Sequence, residues 1–262
     1  MKILIVGAYG FAGSALVRVF SQLGHDCVAI DQDNYNAMVG AKGDVLINAD
    51  GNSAKYLAER DPAGEIDRSV KPVMQSCADF SVDRYVLLSS ADVYPCTSDP
   101  LLNSERAEID LGKLSVYGLN KYLAECVVRN RCARWLIVRM GGLLGPGLRK
   151  NPIFDLLAGQ PLRVHPDSEF GYLHTEEVAR IIAHLLQQPT TNELVNLAGS
   201  GLVSVRQLAA WAGRTLDDAA ASQPCIRYEI NNEKLGTFWR IPTSSATAKE
   251  FIASWQGSRQ NP

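Results

Sequence analysis

The feature that most constrains the fold is a short apolar run that ends in a glycine-rich turn. The run Lys2–Val6 is aliphatic and β-branched, and GAYGFAGS follows it directly. Gly7, Gly10 and Gly13 recur every three residues at the start of an amphipathic stretch. This order predicts a strand, a tight turn and a helix whose free N–H groups face the turn, an arrangement that suits a pyrophosphate.

Similar runs recur along the first half of the chain. Continuous apolar runs, rather than alternating ones, predict strands that are buried on both faces of a parallel sheet. The further predicted strands are Cys27–Ile30, Val45–Asn48, Arg84–Ser89 and Trp135–Arg139. The predicted helices are Ala12–Leu23, Ile66–Phe80 and Ser115–Asn130. This alternation predicts an α/β fold, a doubly wound parallel-sheet Rossmann domain with ligands at the carboxyl ends of its strands.

The alternation stops after Arg139, where glycines and prolines punctuate the chain. Helices return over about Thr175–Gln188 and over Val203–Ala212. We expect residues 1–145 together with about 172–198 to form the dinucleotide-binding domain. A smaller C-terminal substrate-binding lobe would comprise about 146–171 together with 199–262.

Composition limits the classes of partner. A net charge of −2 offers no basic surplus for nucleic acid or an anionic membrane. No apolar run approaches the ~20 residues of a membrane span, and the apolar start lacks the pattern of a signal peptide. The six cysteines have no zinc-binding spacing, and His174 lies too close to Glu176 and Glu177 for a closed site. These features predict a cytoplasmic protein with plain thiols and no metal.

Asp31 ends the second predicted strand, at the distance from the glycines where an acidic residue can bind the adenosine ribose hydroxyls. A carboxylate there repels a 2′-phosphate, and neither Gln32 nor Asp33 adds a positive charge. The cofactor that this favours is NAD, with NADP still possible. The alternative is that Asp31 is a solvated turn residue.

Tyr117 and Lys121 are four residues apart, which places both on one face of a predicted helix. A nearby ammonium favours the tyrosine phenolate. Ser90 ends the fourth predicted strand, so its hydroxyl would hold a substrate oxygen while Tyr117 transfers the proton. The three residues predict a centre that moves a hydride to or from a carbonyl or alcohol carbon.

Several ordered motifs resemble the extended short-chain dehydrogenases/reductases, the NAD-dependent epimerase/dehydratase family. They are GAYGFAG, DVLINADG, LLSSADVY, YGLNK, VRMGGLLGPG, LAGQPLRVHPDSEFGYLHTEEVARII and ELVNLAG, and they reach to about residue 210. The resemblance implies that Ser90, Tyr117 and Lys121 are catalytic and that the substrate is a nucleotide-linked sugar. The cofactor site that we assign comprises Gly7, Gly10, Phe11, Ala12, Gly13, Asp31, Asn48, Ala49, Tyr117, Lys121 and Met140.

The chain departs from the family's pattern at several positions. The segment between Asp31 and Val45 is too short for the usual extra helix and strand, and Ser69 stands where many relatives have Asn. Gly142 and Phe170 replace an Asn and an Arg that commonly bind the substrate's phosphates. Arg149 and Arg163 are candidates to supply the missing positive charge, the alternative being that they are ordinary surface arginines, and Asp92 is a further candidate substrate residue.

These observations favour an oxidoreductase that reduces or epimerises a keto or hydroxy sugar, and the resemblance favours a nucleotide-linked one. The alternatives are a reductase of a small non-sugar carbonyl and a non-catalytic dinucleotide sensor. A 4,6-dehydratase is disfavoured because Ala91 and Asp92 replace the Asp–Glu pair that such relatives carry. The resemblance also implies a homodimer, paired through the helices near Ile66–Phe80 and Ser115–Asn130.

Overall fold

The structure, a computed structural model, describes residues 1–189, 192–216 and 218–260. Its strands are β1 (Lys2–Val6), β2 (Asp26–Ile30), β3 (Lys42–Asn48), β4 (Ser81–Ser90), β5 (Trp135–Met140), β6 (Gly142–Leu144), β7 (Glu169–Phe170), β8 (Tyr172–His174), β9 (Asn192–Leu197), β10 (Val203–Ser204) and β11 (Arg227–Tyr228). Its α-helices are α1 (Phe11–Gln22), α2 (Tyr35–Met38), α3 (Lys55–Arg60), α4 (Pro62–Ser69), α5 (Lys71–Asp79), α6 (Val116–Arg131), α7 (Pro152–Ala158), α8 (Thr175–Leu186), α9 (Val205–Ala212), α10 (Glu233–Gly236) and α11 (Ser244–Gln260).

A six-stranded sheet in the order β2-β1-β3-β4-β5-β9 forms the centre of the fold. β1 pairs in parallel with both β2 and β3, and the pairs β3–β4 and β4–β5 are parallel as well. The apolar runs are buried as predicted: Ile3, Leu4 and Ile5 have no exposed surface. The doubly wound Rossmann fold that the sequence predicts is confirmed.

The sheet ends at β2, whereas a full Rossmann sheet has a further strand beyond this position. β2 is the edge strand, and residues 31–41 between it and β3 contain only the one-turn helix α2. The carboxyl end of β2 therefore has no further strand beside it, as the short segment predicts.

The helix predicted over Ile66–Phe80 is wrong as a single element. The structure has two helices, α4 and α5, which meet at Val70. Pro72 lies in the first turn of α5, and it has no N–H to donate to the carbonyl group four residues earlier, so a continuous helix is interrupted there. The helix predicted from Val203 instead begins at Val205, behind a capping box in which Ser204 and Gln207 bond each other's backbone N–H.

The chain divides into two compact units. The first comprises Met1–Pro95, Glu105–Met140 and Thr175–Asn196, and it contains the sheet with α1 to α6 and α8. The second comprises Cys96–Ser104, Gly141–His174 and Leu197–Pro262. Cys96–Ser104 belongs with the second unit, contrary to the predicted boundaries, because the Asn103 amide group bonds the backbone of Glu229 and Asn231.

Within the first unit, α6 packs against β4 and fixes the positions of the side chains it carries. Val128 and Ala124 of α6 belong to one buried cluster with Leu87 of β4 and Ile137 of β5. None of the helices in the described part of the chain has both the length and the apolar character needed to span a bilayer.

Candidate active site

The glycine turn joins the carboxyl end of β1 to the start of α1, and close approaches of the backbone require glycine at two of its positions. Gly7 has a φ of +74°, and a Cβ there would lie 2.8 Å from the backbone nitrogen of Asp50. A Cβ on Gly13 would lie 2.0 Å from the carbonyl oxygen of Gly7. Gly10 is the N-cap of α1 and has no side chain to occupy the helix N-terminus. The turn Gly7–Gly13, which we call the cofactor cradle, therefore leaves its backbone N–H groups accessible to a pyrophosphate.

Asp31 lies beside this turn, where the sequence predicts it. The backbone N–H groups of Gly7 and Ala8 both bond the carbonyl oxygen of Ile30, at 2.9 and 3.1 Å. The backbone nitrogen of Tyr9 lies 3.4 Å from the Asp31 Oδ2 atom, and that of Gln32 lies 2.7 Å from Oδ1. The carboxylate is thus held next to the glycine turn and stays partly exposed.

The Asn48 side chain is bonded within the fold. It is fully buried, and Nδ2 donates to the Ser76 and Tyr85 hydroxyl groups at 3.0 and 2.8 Å. Its Oδ1 atom accepts a bond from the Asp50 backbone at 2.9 Å. The side chain therefore holds the segment that follows β3, and a contact of Asn48 with the cofactor stays a prediction.

The remaining predicted cofactor residues lie at the same end of the sheet. Ala49 follows β3, and its N–H bonds the Val6 carbonyl oxygen at 2.9 Å. Phe11 and Ala12 begin α1, and Met140 ends β5 in register with Ser90.

Ser90 ends β4 and is held by Asp92. The Ser90 hydroxyl donates to the Asp92 Oδ2 atom at 2.9 Å, and the Asp92 backbone N–H returns a bond to Ser90 at 3.2 Å. The other carboxylate oxygen of Asp92 accepts from Lys55 Nζ at 2.6 Å. Both oxygens of Asp92 are therefore engaged by this unit's own residues.

Tyr117 and Lys121 lie on the face of α6 that is turned toward Ser90. Ser90 is close enough to Tyr117 to form a hydrogen bond that affects its pKa. Lys121 Nζ lies 5.6 Å from the centre of the Tyr117 ring. Gly118 permits this approach, since a Cβ there would lie 2.2 Å from the Asp92 carbonyl oxygen. The structure thus brings the three predicted catalytic residues together.

The pKa of Tyr117 is raised well above its ordinary value. Burial is the main cause and the Asp92 charge the second, while the hydrogen bond with Ser90 opposes them. Lys121 is not among the groups that shift this pKa, so the expected stabilisation of the phenolate by its ammonium stays a prediction. Tyr117 is a protonated phenol at neutral pH and can act as a proton donor.

Lys121 is also buried, and burial lowers its pKa, while the charges of Glu65, Asp50 and Asp92 raise it. Gly51 leaves room for the amine, because a Cβ there would lie 2.9 Å from Nζ. Sequence reasoning missed Glu65, a fully buried carboxylate that accepts bonds from Asn52 Nδ2 at 2.7 Å and from Ser69 Oγ at 2.5 Å.

A second buried carboxylate, Glu125, joins the elements that carry the three residues. It accepts from Ser89 Oγ at 2.7 Å and from Arg139 Nε and Nη2 at 2.9 and 2.7 Å. These bonds connect α6 to β4 and β5. No motif marks Glu125, which lies within an ordinary amphipathic pattern.

The candidate substrate residues Arg149 and Arg163 are exposed side chains of the second unit. Gly142 begins β6 in that unit, and a Cβ there would lie 2.5 Å from the Gly171 carbonyl oxygen. The asparagine expected from the resemblance therefore does not fit this backbone. Phe170 pairs in β7 with Val203 and Tyr228.

The parallel sheet and the glycine turn define the class of protein, a Rossmann-type α/β enzyme. The model of the NAD dependent epimerase/dehydratase family matches residues 3–198, about three quarters of the chain. The chain belongs to this family. A sequence comparison with curated proteins found no match.

Solved structures confirm the fold at low sequence identity. MoeE5 in complex with UDP-glucuronic acid and NAD aligns with a TM-score of 0.80 and 17% identity over 99% of this chain and 100% of that one. A UDP-galactose 4-epimerase aligns with a TM-score of 0.78 and 21% identity over all of both chains. dTDP-4-dehydrorhamnose reductase from Bacillus anthracis, in complex with NADP, aligns with a TM-score of 0.74 and 15% identity over 97% of this chain and 98% of that one.

Proposed function

We propose that this enzyme is an NAD-dependent reductase of a keto sugar linked to a nucleotide, with Ser90, Tyr117 and Lys121 as its catalytic residues. The observation that carries the proposal is the position of a protonated Tyr117 beside Ser90, at the sheet edge where the glycine turn also opens. The three structural neighbours named above, a UDP-galactose 4-epimerase and complexes with UDP-glucuronic acid and NAD and with NADP, support the substrate class and the cofactor.

The bound cofactor would supply the hydride, and the protein would supply the proton and the orientation. Gly7, Gly10 and Gly13 would hold the pyrophosphate, and Asp31 would bind the adenosine ribose. The Ser90 hydroxyl would position the substrate's carbonyl oxygen. As the carbonyl carbon is reduced, Tyr117 gives its phenolic proton to that oxygen and is left as a phenolate. The Lys121 ammonium stabilises the phenolate until solvent returns the proton.

Two features favour reduction over epimerisation. A raised Tyr117 pKa keeps the proton that a reductase donates in every cycle. The edge strand β2 leaves the adenosine end of the cradle open, which favours exchange of the cofactor after each turnover. A reductase must exchange its cofactor, whereas an epimerase retains it.

The same geometry disfavours elimination of water. Ala91 has no acid to protonate a leaving hydroxyl, and the Asp92 carboxylate is engaged by Ser90 and Lys55. Loss of a positioned acid typically costs ~100-fold or more.

A second candidate, a reductase of a small non-sugar carbonyl, is favoured by Gly142 and Phe170. The asparagine and the arginine that would bind a diphosphate are absent at these positions, and the backbone at Gly142 excludes any larger side chain. A non-catalytic sensor would bind NAD without turning it over.

One experiment separates these functions. The purified enzyme is incubated with NADH and with 4-keto sugars linked to UDP, dTDP, GDP or CDP, and in parallel with free keto sugars and simple ketones. We expect NADH consumption and a hydroxy-sugar product only with a nucleotide-linked substrate. Turnover of free carbonyls alone would favour the second candidate, and NADH binding without turnover of any substrate would favour the sensor.

We also propose a homodimer that pairs α4, α5 and α6 with the same helices of a second copy. Ile66 of α4, Met74 of α5 and Leu123 of α6 are large apolar side chains exposed by 50%, 52% and 38%. Six helices, three from each copy, would then pack about a two-fold axis. A monomeric mass in light scattering at micromolar concentration would contradict this assembly.

A further inference from the structure

Tyr9 is an aromatic side chain in the glycine turn whose position the fold does not explain. It lies between Gly7 and Gly10, and it is 72% exposed. Its backbone nitrogen lies 3.4 Å from the Asp31 carboxylate. The Tyr9 backbone therefore lies next to the group that would bind the adenosine ribose.

The neighbouring segment leaves this place uncovered. Residues 31–41 contain only α2, and the side chains of Asn34 and Tyr35 in this segment form bonds within the fold. The Tyr35 ring packs edge-on against Phe80 at 5.4 Å, and its hydroxyl bonds Asp79 at 3.0 Å. Asn34 donates to the carbonyl oxygen of Ala29 and accepts from the Asp31 backbone. Among the aromatic residues of 7–13 and 31–41, the exposed one is Tyr9.

We infer that Tyr9 is an adenine-binding residue whose ring stacks on the base of the cofactor. The inference rests on the proposed function, because it requires a dinucleotide whose ribose is bound by Asp31. The base is joined directly to that ribose and lies within reach of a side chain that starts next to the Asp31 carboxylate. Tyr9 thereby provides one side of the adenine-binding site, which the shortened segment after β2 does not provide.

Stacking of a base on an aromatic ring changes affinity by roughly 5- to 100-fold when the ring is removed. A tyrosine is suited to this place because its rigid ring offers a large apolar face at a low entropic cost, while its hydroxyl stays in water. Removal of an exposed ring takes little from the core, so a Tyr9→Ala variant should fold normally.

The test measures binding of ADP-ribose and of NAD by titration calorimetry to the wild type, Tyr9→Ala and Tyr9→Phe. Tyr56→Ala is the matched control, because Tyr56 is another exposed tyrosine, in α3. We expect Tyr9→Ala to weaken both ligands by roughly 5- to 100-fold. Tyr9→Phe keeps the ring and should bind within about threefold of the wild type, as should Tyr56→Ala.

The outcomes separate the inference from the proposed function. If the wild type binds neither ADP-ribose nor NAD, the proposed function fails and the inference fails with it. If the wild type binds both and Tyr9→Ala binds them equally well, the inference alone is overturned. An equal loss in Tyr9→Phe and Tyr9→Ala would also overturn stacking, since the contact would then depend on the hydroxyl.

Discussion

Replacement of Glu125 by alanine should destabilise the whole first unit. The Glu125 side chain is fully buried and forms a two-pronged ion pair with Arg139, whose side chain is only 2% exposed. Burial opposes the charge of Arg139, but Glu125 holds the pKa of the guanidinium above its ordinary value. An arginine cannot lose its proton, so Glu125→Ala would leave an uncompensated buried charge.

Breaking a buried pair in this way costs about 3–5 kcal/mol. For a domain of this size, 1 kcal/mol corresponds to about 2–4 °C, so the melting temperature should fall by on the order of 10 °C. The assay is urea unfolding of the wild type and Glu125→Ala, followed by circular dichroism. A free energy of unfolding within about 1 kcal/mol of the wild-type value would refute the reasoning.

Two further variants identify the cause of that loss. Arg129→Ala removes another cation that contacts Glu125, at 3.3 Å. Because the Arg129 side chain is 36% exposed, this variant should lose about 1 kcal/mol or less of the free energy of unfolding. The double variant Glu125→Leu with Arg139→Met removes both charges, and it should recover most of the stability that Glu125→Ala loses. No recovery in the double variant would mean that the bonds to Ser89 and the packing matter more than the charge.

Three other variants test the cofactor cradle and the proton donor. Gly13→Ala should weaken NAD binding on the order of 100-fold, because its Cβ displaces the Gly7 carbonyl group, and unchanged affinity in calorimetry would contradict the cradle. Asp31→Ala should narrow the preference for NAD over NADP by removing repulsion of the 2′-phosphate, so a wild type that prefers NADP would overturn the assignment. Asp92→Asn should lower the pKa of Tyr117, because the Asp92 charge raises it. Reduction needs the protonated phenol, so the basic limb of the pH profile of kcat/KM should move to lower pH. A move of that limb to higher pH would contradict the assigned effect of Asp92.

The sequence predicts the sheet well because its strands are continuous apolar runs. β1 matches its predicted limits, and each of the strands β2 to β5 is longer than predicted by one to four residues. Ser90, Tyr117 and Lys121 could be placed together because the carboxyl ends of parallel strands and one helical face determine their positions.

Other features depend on tertiary contacts that a linear pattern does not encode. Glu125 is one of several charged residues in α6, and only the approach of Arg139 on β5 shows that it is buried. The need for Gly118 depends on the Asp92 carbonyl oxygen. The resemblance assigns Asn48 to the cofactor site, and only the positions of the Ser76 and Tyr85 hydroxyl groups show that its side chain is bonded within the fold.

The break between α4 and α5 was within reach of the sequence. Pro72 lies in the middle of the predicted helix Ile66–Phe80, and a proline there removes one backbone hydrogen bond. The amphipathic pattern continues through the break, and it therefore predicts a single helix.

In the proposed NADH-dependent reduction, Tyr117 donates the proton to the substrate. Single-turnover consumption of NADH by the wild type and Tyr117→Phe tests this step, with a 4-keto nucleotide sugar and with the affinity for NADH measured on the same samples. We expect Tyr117→Phe to lose at least about 100-fold in the rate while it binds NADH within about threefold of the wild-type affinity. A Tyr117→Phe variant that reduces the sugar at nearly the wild-type rate would show that Tyr117 is not the proton donor.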